Sequence, residues 1–216
     1  MSKKETAKRY ILCIISLFIS ALGVALTKHG ELGVSPISSV SNVLSLAFPY
    51  LSLGVWLIIW NCILIAGQII ILRKKFQMIQ LLQIPLSFLF GWFTDICMKI
   101  IEFIPTDSYL IQILMVLSGT VVLGFGIALS VIANVIMNSG EAFVKSIADV
   151  SGKSFGNLKI LFDIGCVILS VILSLIFFSF HILGIREGTI IAALATGFVV
   201  KFFTKLIKNP LEKIIK

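Results

Sequence analysis

Six apolar stretches, each about as long as a membrane-crossing helix, constrain this chain more than any other feature. They cover residues 10–27, 53–72, 81–103, 109–134, 155–180 and 188–207. A helix needs about 20 mainly apolar residues to cross roughly 30 Å of hydrocarbon. Because backbone polar groups find no water inside a bilayer, such segments must satisfy their own hydrogen bonds as helices. The sequence therefore predicts an all-α membrane protein with six transmembrane helices.

Composition supports a membrane protein and argues against several other classes. The chain is 58% hydrophobic and 13% charged, whereas soluble domains contain about 25% charged residues. The net charge of +8 comes mostly from residues that flank the apolar stretches, so we predict no nucleic-acid partner. The cysteines and histidines stand singly, without the spacing of metal ligands or disulfides, so no metal and no cofactor is predicted. No catalytic or nucleotide-binding motif occurs, and we do not expect an enzyme.

The chain repeats itself at a spacing of 102 to 106 residues. Four matches occur in the same order, and they pair residues 54–61 with 156–163, 23–27 with 126–130, Ser35 with Ser139, and 91–92 with 197–198. Ordered matches at a nearly constant offset indicate internal duplication. We therefore predict repeats at 10–103 and 109–207, flanked by basic tails at 1–9 and 208–216.

The positive charges predict how the two repeats are inserted. On one predicted side, four Lys or Arg residues precede the first stretch, three lie at 73–75, two lie in 135–154 and three follow residue 207. The connections on the other side contain one each at Lys28 and Arg186. Such residues collect on the cytoplasmic side. We expect a multi-pass protein of the cell (inner or plasma) membrane with both termini in the cytoplasm. Three spans per repeat would insert the second repeat upside down, giving the 3+3 inverted repeat found in many transporters.

Each repeat also contains a segment too polar to cross the membrane and too patterned to be a plain loop. In the first repeat it lies near 35–48, where Ser35 suits a helix cap and Pro36 a first helical turn. In the second it lies near 139–150, with Asn138 or Ser139 as the cap and Glu141 in the first turn. We predict a short broken or re-entrant half-helix at each position, surrounded by protein or by a water-filled cavity.

Asp163 is the leading candidate for a functional residue, because an ionisable group inside a membrane span is costly. The alternative is a local ion pair with Lys159, four residues earlier on the same helical face, and the sequence favours neither. Asn61 occupies the matching position in the first repeat, where a hydrogen bond between helices is a sufficient explanation. Asp95 and Lys99 repeat the four-residue spacing and suggest a second ion pair.

Polar residues beside the starts of the half-helices complete the predicted substrate site. They offer neutral donors and acceptors, and Glu141 adds a carboxylate, at helix N-termini whose dipoles favour anionic groups. Helix capping and close packing of small side chains explain the same residues without a ligand. The residues concerned are Ser35, Ser38, Ser39, Asn42, Asn138, Ser139 and Glu141.

Two segments resemble a family of bacterial membrane proteins. Residues 33–40 read Gly-Val-Ser-Pro-Ile-Ser-Ser-Val, and residues 184–197 read Gly-Ile-Arg-Glu-Gly-Thr-Ile-Ile-Ala-Ala-Leu-Ala-Thr-Gly. Together with the Leu53-Gly54 pair they are similar to YitT/YczE/YyaS-type integral membrane proteins. The Trp-Asp pair that follows the proline in those proteins is absent, which indicates a divergent branch. The resemblance implies a polytopic protein of the bacterial inner membrane, in a mostly uncharacterised family for which transport has been suggested.

These observations favour a small-solute secondary transporter or permease whose site lies near the membrane midplane, between the two repeats. Its predicted partners are the lipid bilayer and an unidentified small molecule, and a homo-oligomer is left open. A substrate-binding subunit of a vitamin importer is one alternative, and a membrane scaffold or assembly factor is another. A polar cavity at mid-depth would favour transport over a scaffold.

Overall fold

The computed structural model describes residues 3–215, and this part of the chain forms helices and connections without a strand. Two of the helices are short 3-10 helices, Arg73–Lys75 and Met78–Leu82. The prediction of an all-α fold is therefore confirmed. The helices are α1 Lys3–His29, α2 Pro36–Ala47, α3 Leu53–Leu72, α4 Gln83–Ile101, α5 Tyr109–Ala133, α6 Ser139–Ser151, α7 Phe155–Phe177 and α8 Glu187–Ile215.

Six of these helices, α1, α3, α4, α5, α7 and α8, are long and apolar enough to cross a membrane. Their outward surfaces are apolar: on α7, for example, Ile164, Ile168 and Ile172 are each about half exposed. Exposed apolar area of this extent is costly in water and favourable in lipid. The protein is thus a multi-pass membrane protein, as the apolar stretches predict.

The first and last spans are longer than their apolar stretches. Helix α1 begins at Lys3 and α8 continues to Ile215, so the described parts of the predicted tails are helical, while residues 1, 2 and 216 lie outside the described part. Arg9 explains part of this extension, because its guanidinium is buried and donates hydrogen bonds to the carbonyl oxygens of Ile132 and Ala133 at the end of α5. The last carbonyls of a helix have no partner within that helix.

The half-helices α2 and α6 have 12 and 13 residues, too few to cross a bilayer. Pro36 occupies the first turn of α2, where its missing N–H costs nothing. At α6 the Asn138 side chain accepts a hydrogen bond of 2.9 Å from the Ser139 N–H. Ile37 in the first turn of α2 packs against Gly140 in the first turn of α6. The starts of the two half-helices therefore meet inside the molecule.

Helices α1 and α5 form an antiparallel pair at the centre of the fold. A Cβ atom at Gly126 would lie 2.6 Å from the Ser20 nitrogen, and one at Gly23 would lie 2.6 Å from the Leu123 Cα. These glycines let the two backbones touch. Helix α4 packs on α1 and α3, and α8 packs on α5. The half-helix α2 packs on α7 and α3, while α6 packs on α3 and α7.

Hydrogen bonds between distant segments define two faces of the bundle. On one, here called the terminal face, Lys8 at the start of α1 donates a bond of 2.7 Å to the Ile214 carbonyl near the end of α8. The connection between α3 and α4 and the end of α5 lie on this face too. On the opposite face His29 contacts the Ile104 carbonyl at 2.8 Å, which joins the end of α1 to the connection between α4 and α5. Both ends of the described chain thus lie on one face.

Candidate functional site

A cavity of about 480 Å³ opens on the terminal face between α1, α5, α6 and the connection from α3 to α4. Exposed charged groups surround its mouth, namely Lys75, Lys145 and Asp149. Deeper polar groups come from four different helices: Ser16, Ser20, Gln83, Ser130, Asn138 and Glu141. The volume suits a small molecule, since ligand pockets usually measure about 300–1,000 Å³.

Glu141 is the acidic residue closest to the start of α6 among those that line this cavity. Its Oε2 atom is buried and has no hydrogen-bond partner within the described chain. Burial raises the pKa of the Glu141 carboxyl above its usual range, while the nearby Lys159 ammonium on α7 opposes this shift. A buried carboxyl with an unpartnered oxygen can take up a proton or bind a donor from a ligand.

A network of buried amides and hydroxyls holds the start of α6 at the inner end of the cavity. The side chains of Gln68 on α3 and Gln83 on α4 exchange two hydrogen bonds of 3.0 and 3.1 Å. Gln68 also donates to the Ser139 carbonyl at 3.3 Å, and Ser87 lies 3.3 Å from the Ser139 hydroxyl. Buried polar groups need such partners. The network fixes α6, and thereby Glu141, relative to two membrane spans.

The sequence interpretation did not single out Gln68, Gln83 and Ser87. Glutamine inside an apolar span is unusual enough to attract attention, and this signal could have identified the first two. Ser87 has no such signal, because serine is common between packed membrane helices.

Asp163 forms the local ion pair that the spacing suggested as the alternative to a substrate site. Its carboxylate accepts hydrogen bonds of 2.5 and 2.6 Å from Lys159 on the same helix, and both side chains are about one quarter exposed. Neither residue lines the cavity, and Asn61, which is buried in α3, does not line it either. A role for Asp163 and Asn61 in substrate binding stays a prediction.

The polar residues of α2 contact other helices and connections rather than the cavity. Ser39 lies 2.7 Å from the Ser170 hydroxyl on α7, and Asn42 donates a bond of 2.7 Å to the Gly184 carbonyl. Ser35 donates to the hydroxyl of Ser38 at 3.0 Å. Of the predicted substrate residues, Asn138 and Glu141 line the cavity, whereas Ser35, Ser38, Ser39, Asn42 and Ser139 do not.

Asp95 caps a neighbouring helix, and the predicted ion pair with Lys99 is not formed. Its carboxylate accepts hydrogen bonds from the Ser52 hydroxyl at 2.5 Å and from the Gly54 N–H at 2.8 Å, both at the start of α3. The first N–H groups of a helix lack partners and favour a negative charge. This contact between spans satisfies Asp95 better than an exposed lysine would.

Replacing Asp95 by alanine is expected to destabilise the protein by about 1–3 kcal/mol, because both donors at the start of α3 lose their acceptor. Thermal unfolding in detergent would measure the loss. The matched control is Lys99→Ala, one turn later on the same helix, which should leave the melting temperature unchanged. Equal losses in both variants would contradict the capping role and support the ion pair instead.

Comparison with known proteins gives a family assignment but no named relative. The chain matches no curated protein and no solved structure. The resemblance to YitT/YczE/YyaS-type proteins therefore stays a prediction. A family model matches residues 7–205, which include all eight helices at least in part. The chain belongs to this family, DUF6198, a family of unknown function.

Proposed function

We propose that the protein is a secondary transporter of a small polar solute and works by alternating access. The observation that carries this proposal is the cavity of about 480 Å³, which is open on the terminal face and lined by polar groups of four helices. A scaffold has no need of such a cavity. A transporter requires a site that is reached from one face at a time.

Two hydrogen bonds join neighbouring segments on the opposite face. The Gly188 N–H donates a bond of 2.8 Å to the Leu32 carbonyl, which joins the start of α8 to the segment before α2. Asn42 on α2 donates to the Gly184 carbonyl and joins the same two regions. These contacts support a state in which solute enters the cavity from the terminal face only.

Reciprocal contacts between α1 and α5 support the inverted repeat. Gly126 is the repeat counterpart of Gly23, and Leu123 lies at the position that matches Ser20, also 103 residues later. Gly23 packs on Leu123, and Gly126 packs on Ser20. The same contact thus occurs twice with the two helices exchanged, as expected for a two-fold relation. Because α1 and α5 are antiparallel, the axis of that relation would be perpendicular to them and so in the membrane plane.

The remaining helices follow the same correspondence. Helix α4 packs on α1 as α8 packs on α5. Half-helix α2 packs on α7 as α6 packs on α3, and each half-helix also contacts the next span of its own repeat. These paired interfaces support two copies of one fold, inserted in opposite directions, with the half-helices between them.

Glu141 is the residue that we assign to solute or proton binding. It lines the cavity, has an unpartnered buried oxygen and lies at a helix N-terminus. Asp163, in contrast, is neutralised by Lys159 outside the cavity. With both termini in the cytoplasm, as the basic residues predict, the cavity opens to the cytoplasm. A proton on Glu141 would then be exchanged with that compartment in the present state.

A ligand screen tests this function. Wild-type protein in detergent is heated with pools of amino acids, carboxylates, amines and polyols. We expect at least one pool to raise the melting temperature, since a ligand at 100 times its Kd stabilises the folded state by about 2.7 kcal/mol. Glu141→Gln should weaken binding of the active compound at least about tenfold, a loss of roughly 1.4 kcal/mol.

The matched control is Glu102→Gln, an exposed residue just after α4 and outside the cavity lining, which should bind like wild type. The active compound should also exchange across proteoliposomes that contain the protein. Exchange no faster than in protein-free liposomes would reject transport. Normal binding by Glu141→Gln together with lost binding by Asp163→Asn would move the site to α7.

A further inference from the structure

Helices α3 and α4 are in backbone contact at two glycines. A Cβ atom added to Gly91 on α4 would lie 2.5 Å from the Gly54 carbonyl oxygen, and one added to Gly54 would meet the Gly91 carbonyl oxygen. The hydrogen bonds from Ser52 and Gly54 to Asp95 join the same two helices. Helices α3 and α4 are therefore packed tightly against each other where Gly54 meets Gly91.

The corresponding helices of the second repeat, α7 and α8, do not pack against each other. The repeat counterparts of Gly54 and Gly91 are Gly156 on α7 and Gly197 on α8. A Cβ atom at either position would have no atom within 4 Å. Helix α8 packs on α5, and α7 packs on α2 and α6, but α7 and α8 share no comparable interface. The second and third spans thus pack together in the first repeat and lie apart in the second.

Burial within the two pairs shows the same difference. Helix α3 buries eight residues and α4 seven, whereas α7 buries three and α8 four. Small residues at matching positions permit close approach between membrane helices. The second repeat retains these glycines although nothing packs against them here. Under the proposed repeat, one fold is thus present here in two conformations.

We infer that the α3–α4 and α7–α8 pairs are the two gates of alternating access. In the second state α7 and α8 pack together at Gly156 and Gly197, while α3 and α4 separate at Gly54 and Gly91. Under the proposed two-fold relation the second state has the counterpart of the present cavity, which opens on the opposite face. The inference rests on the proposed function and adds to it the helices that move.

Leucine at Gly197 provides the test, because the side chain fits the present state and blocks closure of α7 on α8. Two reporter cysteines follow the two states in a chain whose four native cysteines are replaced by alanine. Ser130→Cys lies in the present cavity. Thr27→Cys occupies the matching position of the first repeat and is fully buried here. A sulfonated maleimide that does not cross membranes reports the access of each cysteine to water.

Without the leucine, both reporters should react, because the two states interconvert. With Gly197→Leu, the labelling rate of Thr27→Cys should fall at least about tenfold, a shift of roughly 1.4 kcal/mol in the balance of states. Labelling of Ser130→Cys should stay equal or rise. The matched control is Gly165→Leu on α7, which also has open space around it but matches no glycine in the first repeat, and it should change neither rate.

A second measurement observes closure directly. Cysteines at both Gly156 and Gly197 should form a disulfide on mild oxidation, although α7 and α8 do not pack together in the present state. A disulfide requires Cα atoms about 4.4–6.8 Å apart. Cysteines at Gly165 and Gly197 should remain unlinked.

Two results would contradict the proposal that these helix pairs are gates. One is an unchanged labelling rate of Thr27→Cys in the Gly197→Leu variant. The other is a change of oligomeric state in that variant, which would show that a second copy of the chain covers the glycines. Labelling needs no solute, so the test of the gates is independent of the test of transport. If the labelling rates change as expected but no solute is transported, the proposed function is wrong. If solute is transported but the labelling rates stay unchanged, the proposed gates are wrong.

Discussion

Replacing Gly126 by leucine is expected to abolish the folded protein. The α1–α5 pair is the central interface of the bundle, and a Cβ atom at Gly126 would lie 2.6 Å from the backbone nitrogen of Ser20. Even one surplus methylene in a packed core costs about 1–3 kcal/mol. A leucine adds four carbon atoms against a backbone that cannot rotate away. We expect most of the variant to aggregate when extracted in detergent, as measured by its share in the monodisperse peak on gel filtration.

Gly23→Leu should have the same effect, because Gly23 makes the reciprocal contact with Leu123. Gly165→Leu is the control: it introduces the same side chain at a membrane-span glycine with no atom within 4 Å, and its yield should equal that of wild type. Comparable yields of Gly126→Leu and Gly165→Leu would contradict the close approach of α1 and α5. Loss of Gly126→Leu with full tolerance of Gly23→Leu would contradict the reciprocity on which the inverted repeat depends.

The features of the fold that depend on local sequence could be predicted. Apolar length identified the six spans, and helix caps identified the half-helices, as Pro36 and Asn138 illustrate. The predicted ends were less accurate. Helix α8 was expected to stop at residue 207, yet it continues through Pro210 to Ile215. Hydropathy reports where lipid contact ends, and a helix can extend beyond that point into water.

Contacts between distant helices could not be predicted in the same way. Asp95 has a lysine four residues later, and that spacing suggested an ion pair. The start of α3 offers two hydrogen-bond donors at fixed positions, Ser52 and the Gly54 N–H, but only folding brings them near. For Asp163 the local partner, Lys159, is the one that is used. The spacing is the same in both cases, so sequence alone could not separate them.

The cavity was beyond prediction for a different reason. Its lining comes from α1, α4, α5, α6 and the connection between α3 and α4, and these segments are far apart in the sequence. The sequence repeat depends on residues that the two halves share, so it contains no information about a cavity that includes only one of the half-helices. Glu141 was predicted as part of a substrate site between the two repeats, formed by the starts of both half-helices together with Asn61 and Asp163. In the structure the cavity includes the α6 side of that site but not the α2 side.

The folded protein is expected to lose stability as the pH rises, and Glu141 should account for a measurable part of this loss. Burial raises the pKa of its carboxyl above the ordinary value of 4.5. Between that value and the raised one, the folded chain holds a proton that the unfolded chain has released. The stabilisation is therefore complete below pH 4.5 and is lost as the pH rises through the raised pKa, at about 1.4 kcal/mol per unit of difference.

Glu141→Gln should remove this dependence, because glutamine resembles the protonated carboxyl and does not titrate. We would measure the melting temperatures of wild type and variant in detergent at a series of pH values. The two melting temperatures should approach each other at acidic pH and separate at alkaline pH, where the variant should be the more stable. Glu102→Gln, at an exposed site, should follow wild type throughout. Parallel curves for wild type and Glu141→Gln would mean that the Glu141 carboxyl is not buried in the folded protein.

Under the proposed function, the same protonation would couple Glu141 to transport. Charge on Glu141 is costly while its Oε2 atom is buried and unpartnered, and it becomes less costly when a donor group of a bound solute reaches that atom. Binding of the solute would then accompany release of the proton. In proteoliposomes, and at solute concentrations above its weakened Kd, Glu141→Gln should still exchange solute between the two sides but should no longer accumulate it in response to a pH gradient. Accumulation by the variant at the wild-type level would exclude Glu141 as the coupling residue.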